Sequence, residues 1–463
     1  MPPEHLADQT PYRLSRFCHL IPVKDTVAVY HSLLIKTIFV NHEAAELLNS
    51  FQTGVTKESF FLKAKDYADS DGLRVLIDRL VDIEMLVPVC EKEEDLLQVI
   101  RSECMVKPEI TGMYVMLTDD CNFACKYCFV ESQLPTTHSF SKMDPETASW
   151  AIDKFSEWSA SQFVRSIIFC GGEPLLNRSA FYTALDRIDY HIEQGTLSND
   201  LKLQLITNGS LVDEELVCVA KKHNLKVSVS IDGKPEYHNA SRLSRHGKDT
   251  HEGAIRGFRM LQAGGITVGV SMTITQKHIG HLLENVQWMI DELGIKSIGF
   301  NTLMDIDRHS PVLIEYAEAV NREMIDCFEV LRKVGVYEDR LMRKVESFVE
   351  GTPYPHDCSG CGHQIVISPT RSVGVCHGYA GWRKYFVSPD SDFVPTEHPY
   401  WKEWVQRSPI NLPQCFGCEA IGICGGGCPC SADIRNGSIW AVNETFCLHA
   451  KTVLRWMLAE VCT

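Results

Sequence analysis

Residues 112–128 read GMYVMLTDDCNFACKYC, an apolar run of strand character, two acidic residues, and then Cys121-x3-Cys125-x2-Cys128. Three thiols on one short loop have metal-ligand spacing. Three sulfurs can hold three corners of a cubane iron-sulfur cluster and leave the fourth iron to a ligand that is not protein. Zinc is the competing reading, but a structural zinc needs four ligands in a closed tetrahedron, and no fourth Cys or His lies within this loop.

The strand before the loop is the first of six. SIIFC (166–170), LKLQLIT (201–207), KVSVSI (226–231), ITVGVSMTI (266–274) and SIGFNTL (297–303) follow it, separated by amphipathic helical patterns near 144–159, 177–193, 212–223, 250–264, 279–293 and 311–334. Some of these helices open on the Asp, Ser and Pro signals of a helix start. Apolar strands spaced by helices predict an α/β fold with a parallel sheet and right-handed crossovers. Six repeats predict a partial (β/α)6 TIM-like barrel, with chemistry at the C-terminal ends of the strands. The cysteine loop follows strand one, Gly171-Gly172-Glu173-Pro174 strand two, Asn208-Gly-Ser strand three, Asp232-Gly strand four, and Asn-Thr-Leu-Met closes strand six. All of these motifs fall on one rim.

The chain has 463 residues, and a prior of ~150 residues per domain suggests about three domains. Residues 1–105 carry two β-like runs around a Pro-Val-Lys-Asp turn and helical stretches near 42–51, 56–68 and 72–86, the order of a winged-helix-like domain. The barrel occupies 106–335, and 336–463 opens on a Gly/Pro-containing connection to about 357 and continues as a cysteine-rich, turn-rich tail. A net charge of -15 has the wrong sign for gripping phosphate backbones, so no nucleic-acid partner is expected. The start lacks the pattern of an export signal and no apolar run approaches ~18 residues, so neither export nor membrane insertion is expected and the cytoplasm is the expected location. There the 19 cysteines are read as metal ligands where they cluster, and as small buried hydrophobes at the seven scattered positions Cys18, Cys90, Cys104, Cys170, Cys218, Cys327 and Cys462.

With Tyr127 as the aromatic residue, the loop Cys121-x3-Cys125-x-Tyr127-Cys128 resembles that of the radical S-adenosylmethionine (SAM) enzymes, over roughly residues 110–305. The resemblance implies a 4Fe-4S cluster on Cys121, Cys125 and Cys128 whose open iron is chelated by SAM. One-electron reduction would then give a 5'-deoxyadenosyl radical that abstracts hydrogen from an unactivated C–H bond. Gly171, Gly172, Glu173 and Pro174 would offer backbone carbonyls and a carboxylate to the ammonium group, with close approach allowed by the glycines. Asn208, Ser230 and Asp232 supply polar groups at neighbouring strand ends. Arg242, in the run from Asp232 through His238, would pair with the methionine carboxylate by a two-pronged contact.

In the tail, Cys361-x14-Cys376, Cys415-x2-Cys418-x5-Cys424-x3-Cys428 and Cys447 resemble the SPASM domain, the auxiliary-cluster extension of radical SAM enzymes that modify peptides and proteins. The staggered spacing does not divide into the two CxxC knuckles of a zinc ribbon. The resemblance implies one 4Fe-4S cluster on Cys415, Cys418, Cys424 and Cys447, and another on Cys361, Cys376 and Cys428 with Cys358 as the candidate fourth ligand, three clusters in all. Two departures stand out. Arg371 replaces a glycine of the family pattern, and Cys358 lies unusually close to Cys361, which leaves open whether that cluster has four cysteines or an open iron with Cys358 free. Cys430 has no assignment.

A SPASM tail implies a polypeptide substrate, usually a ribosomally made precursor peptide with a leader and a core, to be crosslinked through a thioether or a C–C or C–O bond, epimerised or otherwise oxidised. A low-potential donor such as flavodoxin or ferredoxin is expected to supply the electron. Residues 1–105 resemble leader-recognition domains in the order of their elements, and a sheet edge there could add a peptide strand. An anaerobic sulfatase maturase, which forms formylglycine, is the rival enzyme, and an electron-transfer or sensing iron-sulfur protein is the rival from another class. No residue announces a general base. Asp305, Asp307 and Tyr379 are polar groups that could lie near the barrel mouth, but each reads first as a surface residue.

Overall fold

The computed structural model describes residues 9–104, 107–135, 137–159, 163–304 and 312–462. Asp305 and Asp307 lie outside the described residues. Six strands, β1 (Gly112–Thr118), β2 (Ser166–Gly171), β3 (Lys202–Thr207), β4 (Lys226–Ser230), β5 (Val268–Ile274) and β6 (Ser297–Thr302), pair in parallel in chain order. They alternate with helices α1 (Pro145–Trp158), α2 (Arg178–Glu193), α3 (Glu214–Lys222), α4 (His251–Ala263), α5 (Leu282–Leu293) and α6 (Val312–Lys333). This is the expected partial barrel, with strand ends within two residues of those read from the sequence.

Local signals explain the punctuation. Asp144 accepts the Thr147 N–H at 2.7 Å ahead of α1, whose first residue is Pro145, and Asp213 accepts the Leu216 N–H at 3.0 Å ahead of α3. Gly294 takes φ +57° to end α5, a conformation that favours glycine. Strand residues alternate between two faces. Met113, Val115, Ile167, Phe169, Leu205, Val227, Val229 and Val270 are buried under the helices. The opposite face is largely polar, with Gln204 donating to Ser228 at 2.9 Å and Asn301 to Ser271 at 3.0 Å.

The sheet does not stop at the barrel. Strand β7 (Gln364–Ile367) pairs in parallel with β1, and the two-residue strands 373–374 and 386–387 continue it as an antiparallel ribbon. The cysteine-rich tail is thus built onto the edge of β1. The interval 336–357, read from the sequence as a connection, instead contains the helix α7 (Asp339–Glu350), and the tail closes on an 18-residue helix α8 (Glu444–Val461).

The amino-terminal region has the anticipated hairpin, of 18–23 and 26–31 around Lys24–Asp25, and helices 42–48, 57–63 and 70–82 near the anticipated stretches; the first β-like run is broken into strands 11–14 and 18–23, and a third hairpin-sheet strand 36–40 and a helix 93–104 were not anticipated. It has its own core of Val29, Leu48, Phe51, Phe60, Ile77 and Leu80. A second cluster, Phe17, Leu33, Leu97 and Ile100 against Ile410 and Ile421, packs it on the tail beside Cys415 and Cys418. Of the seven scattered cysteines, Cys327 is buried as expected, whereas Cys90 and Cys218 are exposed, because surface positions on a loop and on a helix's outer face tolerate a small side chain.

Candidate active site

The cysteine loop leaves β1 at the C-terminal rim and is pinned from two sides. On one side, Gly172 N–H donates to Thr118 O and Glu173 N–H to Asp120 O, both at 2.8 Å. A Cβ on Gly171 or Gly172 would lie 2.1 Å from the Thr118 or Asp120 carbonyl oxygen, and Gly171 has φ +140°. The glycine pair therefore admits the cluster loop itself, where the sequence suggested only a ligand. Glu173 is fully buried, so its carboxylate is not open on the rim. It accepts Thr207 Oγ1 at 2.7 Å, Asn208 N–H at 2.8 Å and Leu175 N–H at 3.2 Å, and burial raises its pKa to about 7 against those hydrogen bonds. Pro174 starts a single helical turn behind it.

On the other side, the segment after β4 wraps the loop. Ala124 N–H donates to Leu243 O, Lys126 N–H to Ser241 O, and the Arg245 guanidinium to Cys121 O. Asp232 is wholly buried and holds Arg242 through Oδ2···Nε at 2.9 Å and Oδ1···Nη2 at 3.1 Å. It also accepts Thr273 N–H at 2.9 Å and the Tyr127 hydroxyl. The two-pronged contact expected of Arg242 is therefore made, but to Asp232. The Arg242 guanidinium also stacks 5.3 Å from the Tyr127 ring. Asn208 joins the loop as well, its Nδ2 lying 2.8 Å from Asn122 Oδ1 and 4.0 Å from Cys121 Sγ. Ser230 is half-buried at the end of β4. Lys126, Arg245 and Asn122 were missed by sequence reasoning, since their partners lie 86 to 124 residues away.

The tail thiols fall into two neighbourhoods. Cys358, Cys361, Cys376 and Cys428 feel one another's charge in one. Cys415, Cys418, Cys424 and Cys447 do so in the other. Cys430 lies beside Cys376, since a Cβ on Gly378 would meet Cys430 Sγ at 2.7 Å and Cys376 Sγ at 3.3 Å. Tyr379 is fully buried, with its hydroxyl 2.7 Å from Asp433 Oδ2, and so is not a surface group at the barrel mouth. Arg371 adopts φ +63°, the strained option, with its guanidinium 4.6 Å from the Trp150 ring.

The donor chemistry fits iron-sulfur clusters. Backbone N–H groups two or three residues on point at sulfur, from Phe123 to Cys121 (3.4 Å), Gly360 to Cys358 (3.3 Å), Gly378 to Cys376 (3.3 Å) and Ser431 to Cys428 (3.4 Å), the direction that stabilises a thiolate. Burial meanwhile pushes the bare thiols up, Cys121 to about 12 and Cys125 to about 11, so they ionise only against a bound metal.

The sequence model of the Radical SAM superfamily matches residues 115–288, so the chain carries a radical SAM domain that spans this rim. Its relatives include the radical SAM cyclopropyl synthase TigE of Paramaledivibacter caminithermalis, 25% identical over 76% of this chain and 74% of that protein. The subtilosin biosynthesis protein AlbA of Bacillus subtilis is 24% identical over 67% of this chain and 65% of that protein. Among solved structures, that described as "Native anSMEcpe with bound AdoMet" shares the fold with a TM-score of 0.64 and 20% identity, covering 76% of this chain and all of that one. The chain therefore carries a radical SAM domain, and its cysteine-rich tail is consistent with a SPASM domain. No helix among the described residues is long and apolar enough to cross a membrane.

Proposed function

We propose that this enzyme matures a ribosomally made precursor peptide in the cytoplasm, installing an intramolecular thioether or C–C or C–O crosslink. A 4Fe-4S cluster on Cys121, Cys125 and Cys128, with SAM and an electron from a flavodoxin- or ferredoxin-like donor, would supply the hydrogen-abstracting 5'-deoxyadenosyl radical. Asp232, Arg242 and Tyr127 lock the loop that carries Cys125 and Cys128. Glu173 holds the ends of β2 and β3 together beneath it. Ser230, Asn208 and the backbone of Gly171–Pro174 line the place where SAM would lie. Cys358, Cys361, Cys376 and Cys428 would hold one auxiliary 4Fe-4S cluster, and Cys415, Cys418, Cys424 and Cys447 the other.

One observation carries this reading. Two groups of four thiols sit on a tail that continues the sheet from β1, the strand that bears the three-thiol loop. A loop of three thiols, which leaves one iron open to a ligand, speaks against a protein that only transfers electrons. The amino-terminal sheet adds support, because among the described residues its terminal strands 18–23 and 36–40 each have one neighbour and the order of its elements suits leader binding.

The test incubates anaerobically reconstituted holoenzyme with SAM, dithionite and the peptide encoded beside its gene. The expected result is 5'-deoxyadenosine with a peptide lighter by two hydrogens. Conversion of a Cys or Ser to formylglycine, or no 5'-deoxyadenosine, overturns the proposal.

A further inference from the structure

Between the two thiol groups of the tail lies a cation without an anion. Arg407 is 1% exposed, yet its guanidinium meets only neutral acceptors: Nη1 donates to Gly426 O and Nη2 to Ala441 O, both at 2.8 Å, and Nε to Ile439 O. No carboxylate among the described residues pairs with it. Asp357, the acid of this neighbourhood, is bound to Lys344 at 3.1 Å and Arg343 at 4.0 Å. Burying a charge against carbonyl dipoles alone is costly, and proteins retain such a group where a counter-charge is close.

The placement is built in. Gly426 has φ +77°, and a Cβ there would lie 2.5 Å from Arg407 Nη1, so the middle glycine of Gly425-Gly426-Gly427 makes room for the guanidinium. Gly426 lies midway along Cys424-x3-Cys428, whose first thiol belongs to one group and whose last belongs to the other, so the carbonyl that holds Nη1 sets the guanidinium at the junction of the two. A cluster bound by four thiolates carries net negative charge, which increases on reduction.

We infer that Arg407 is a shared counter-cation, a positioning residue that neutralises both auxiliary clusters from one buried site between them and raises both of their reduction potentials. The inference rests on the auxiliary-cluster reading above. It reaches beyond that reading because it assigns the electrostatic control of two redox centres to one side chain that ligates neither.

The test uses full-length, anaerobically reconstituted protein and compares wild type, Arg407→Gln and Arg407→Lys by iron content and by potentiometric titration followed by electron paramagnetic resonance. The auxiliary signals are identified by their loss in Cys361→Ala and Cys415→Ala. Gln keeps hydrogen bonding and removes the charge, whereas Lys keeps the charge and loses the three-way fork. Both auxiliary potentials are expected to become more negative in Arg407→Gln and to stay near wild type in Arg407→Lys, with the third cluster unmoved. Loss of auxiliary iron in Gln but not in Lys also supports the counter-cation. Unchanged potentials in a fully loaded Gln variant overturn it, as does an equal shift or equal iron loss in both variants, which would make Arg407 a geometric staple. Wild-type protein without auxiliary iron would instead refute the cluster reading itself.

Discussion

The carboxylate of Glu173 accepts the hydroxyl of Thr207 at 2.7 Å from a fully buried position, which ties the end of β2 to the end of β3 directly beneath the cysteine loop. Its other oxygen takes the Asn208 N–H at 2.8 Å, and Asn208 in turn reaches Cys121. Glu173→Gln would set an amide donor against a donor at Asn208. The expected cost is about 1–3 kcal/mol, read as a fall in melting temperature, with weaker SAM binding in the reconstituted protein. An unchanged melting temperature would show that the strut is dispensable.

The cysteine loop gives the sharpest analytical prediction. Replacing Cys121, Cys125 and Cys128 together by Ala should remove about four of about twelve irons and all SAM cleavage, leaving the auxiliary signals in place. Persistent 5'-deoxyadenosine formation would contradict the assignment.

Glu338 gives a pH dependence. Its side chain is 1% exposed and caps α7 by accepting Arg340 N–H at 3.0 Å and Leu341 N–H at 2.9 Å, and burial outweighs those hydrogen bonds and raises its pKa from 4.5 to about 7. A carboxyl whose folded pKa is raised favours the protonated native state. Its contribution is full below about pH 4.5 and is lost as pH rises through about 7, a span of about 3 kcal/mol. Chemical denaturation between pH 5 and 8 should show this slope added to that of Glu173, which burial raises likewise, and Glu338→Gln should reduce the slope by about half. An equal slope in the variant would place the titration elsewhere.

At Arg371, φ +63° is the conformation a glycine would hold without strain, and the Trp150 contact at 4.6 Å offsets part of the cost. Arg371→Gly relieves roughly 1 kcal/mol of left-handed strain and loses a cation–π contact of similar size. The expected change in stability is within about 1 kcal/mol of zero. Destabilisation well beyond that would mean that the aromatic contact dominates.

How much of this was legible beforehand follows from the range of each interaction. The six barrel strands were, because each is bounded by its own turn signals and its alternation is local. Helix α7 was not, since Gly335, Gly351, Pro353 and Pro355 around it suggested a linker although they only punctuate a helix. The three-thiol loop declared itself by spacing, but the partner of Arg242 did not: a guanidinium ten residues from an aspartate reads equally well as a ligand clamp, and only the burial of Asp232 decides that the pair is internal. Arg407 gave no signal at all, because three carbonyl acceptors 19 to 34 residues away leave no mark on composition or periodicity.

The pairing of β7 with β1 sets a limit on how this polypeptide can be divided. Trimmed after residue 335, the barrel would lose the strand that pairs with that flank of β1 and present a row of open amides and carbonyls, an invitation to stack edge to edge with its own copies. Engineers seeking a minimal catalyst from this scaffold should therefore expect aggregation rather than a lean module.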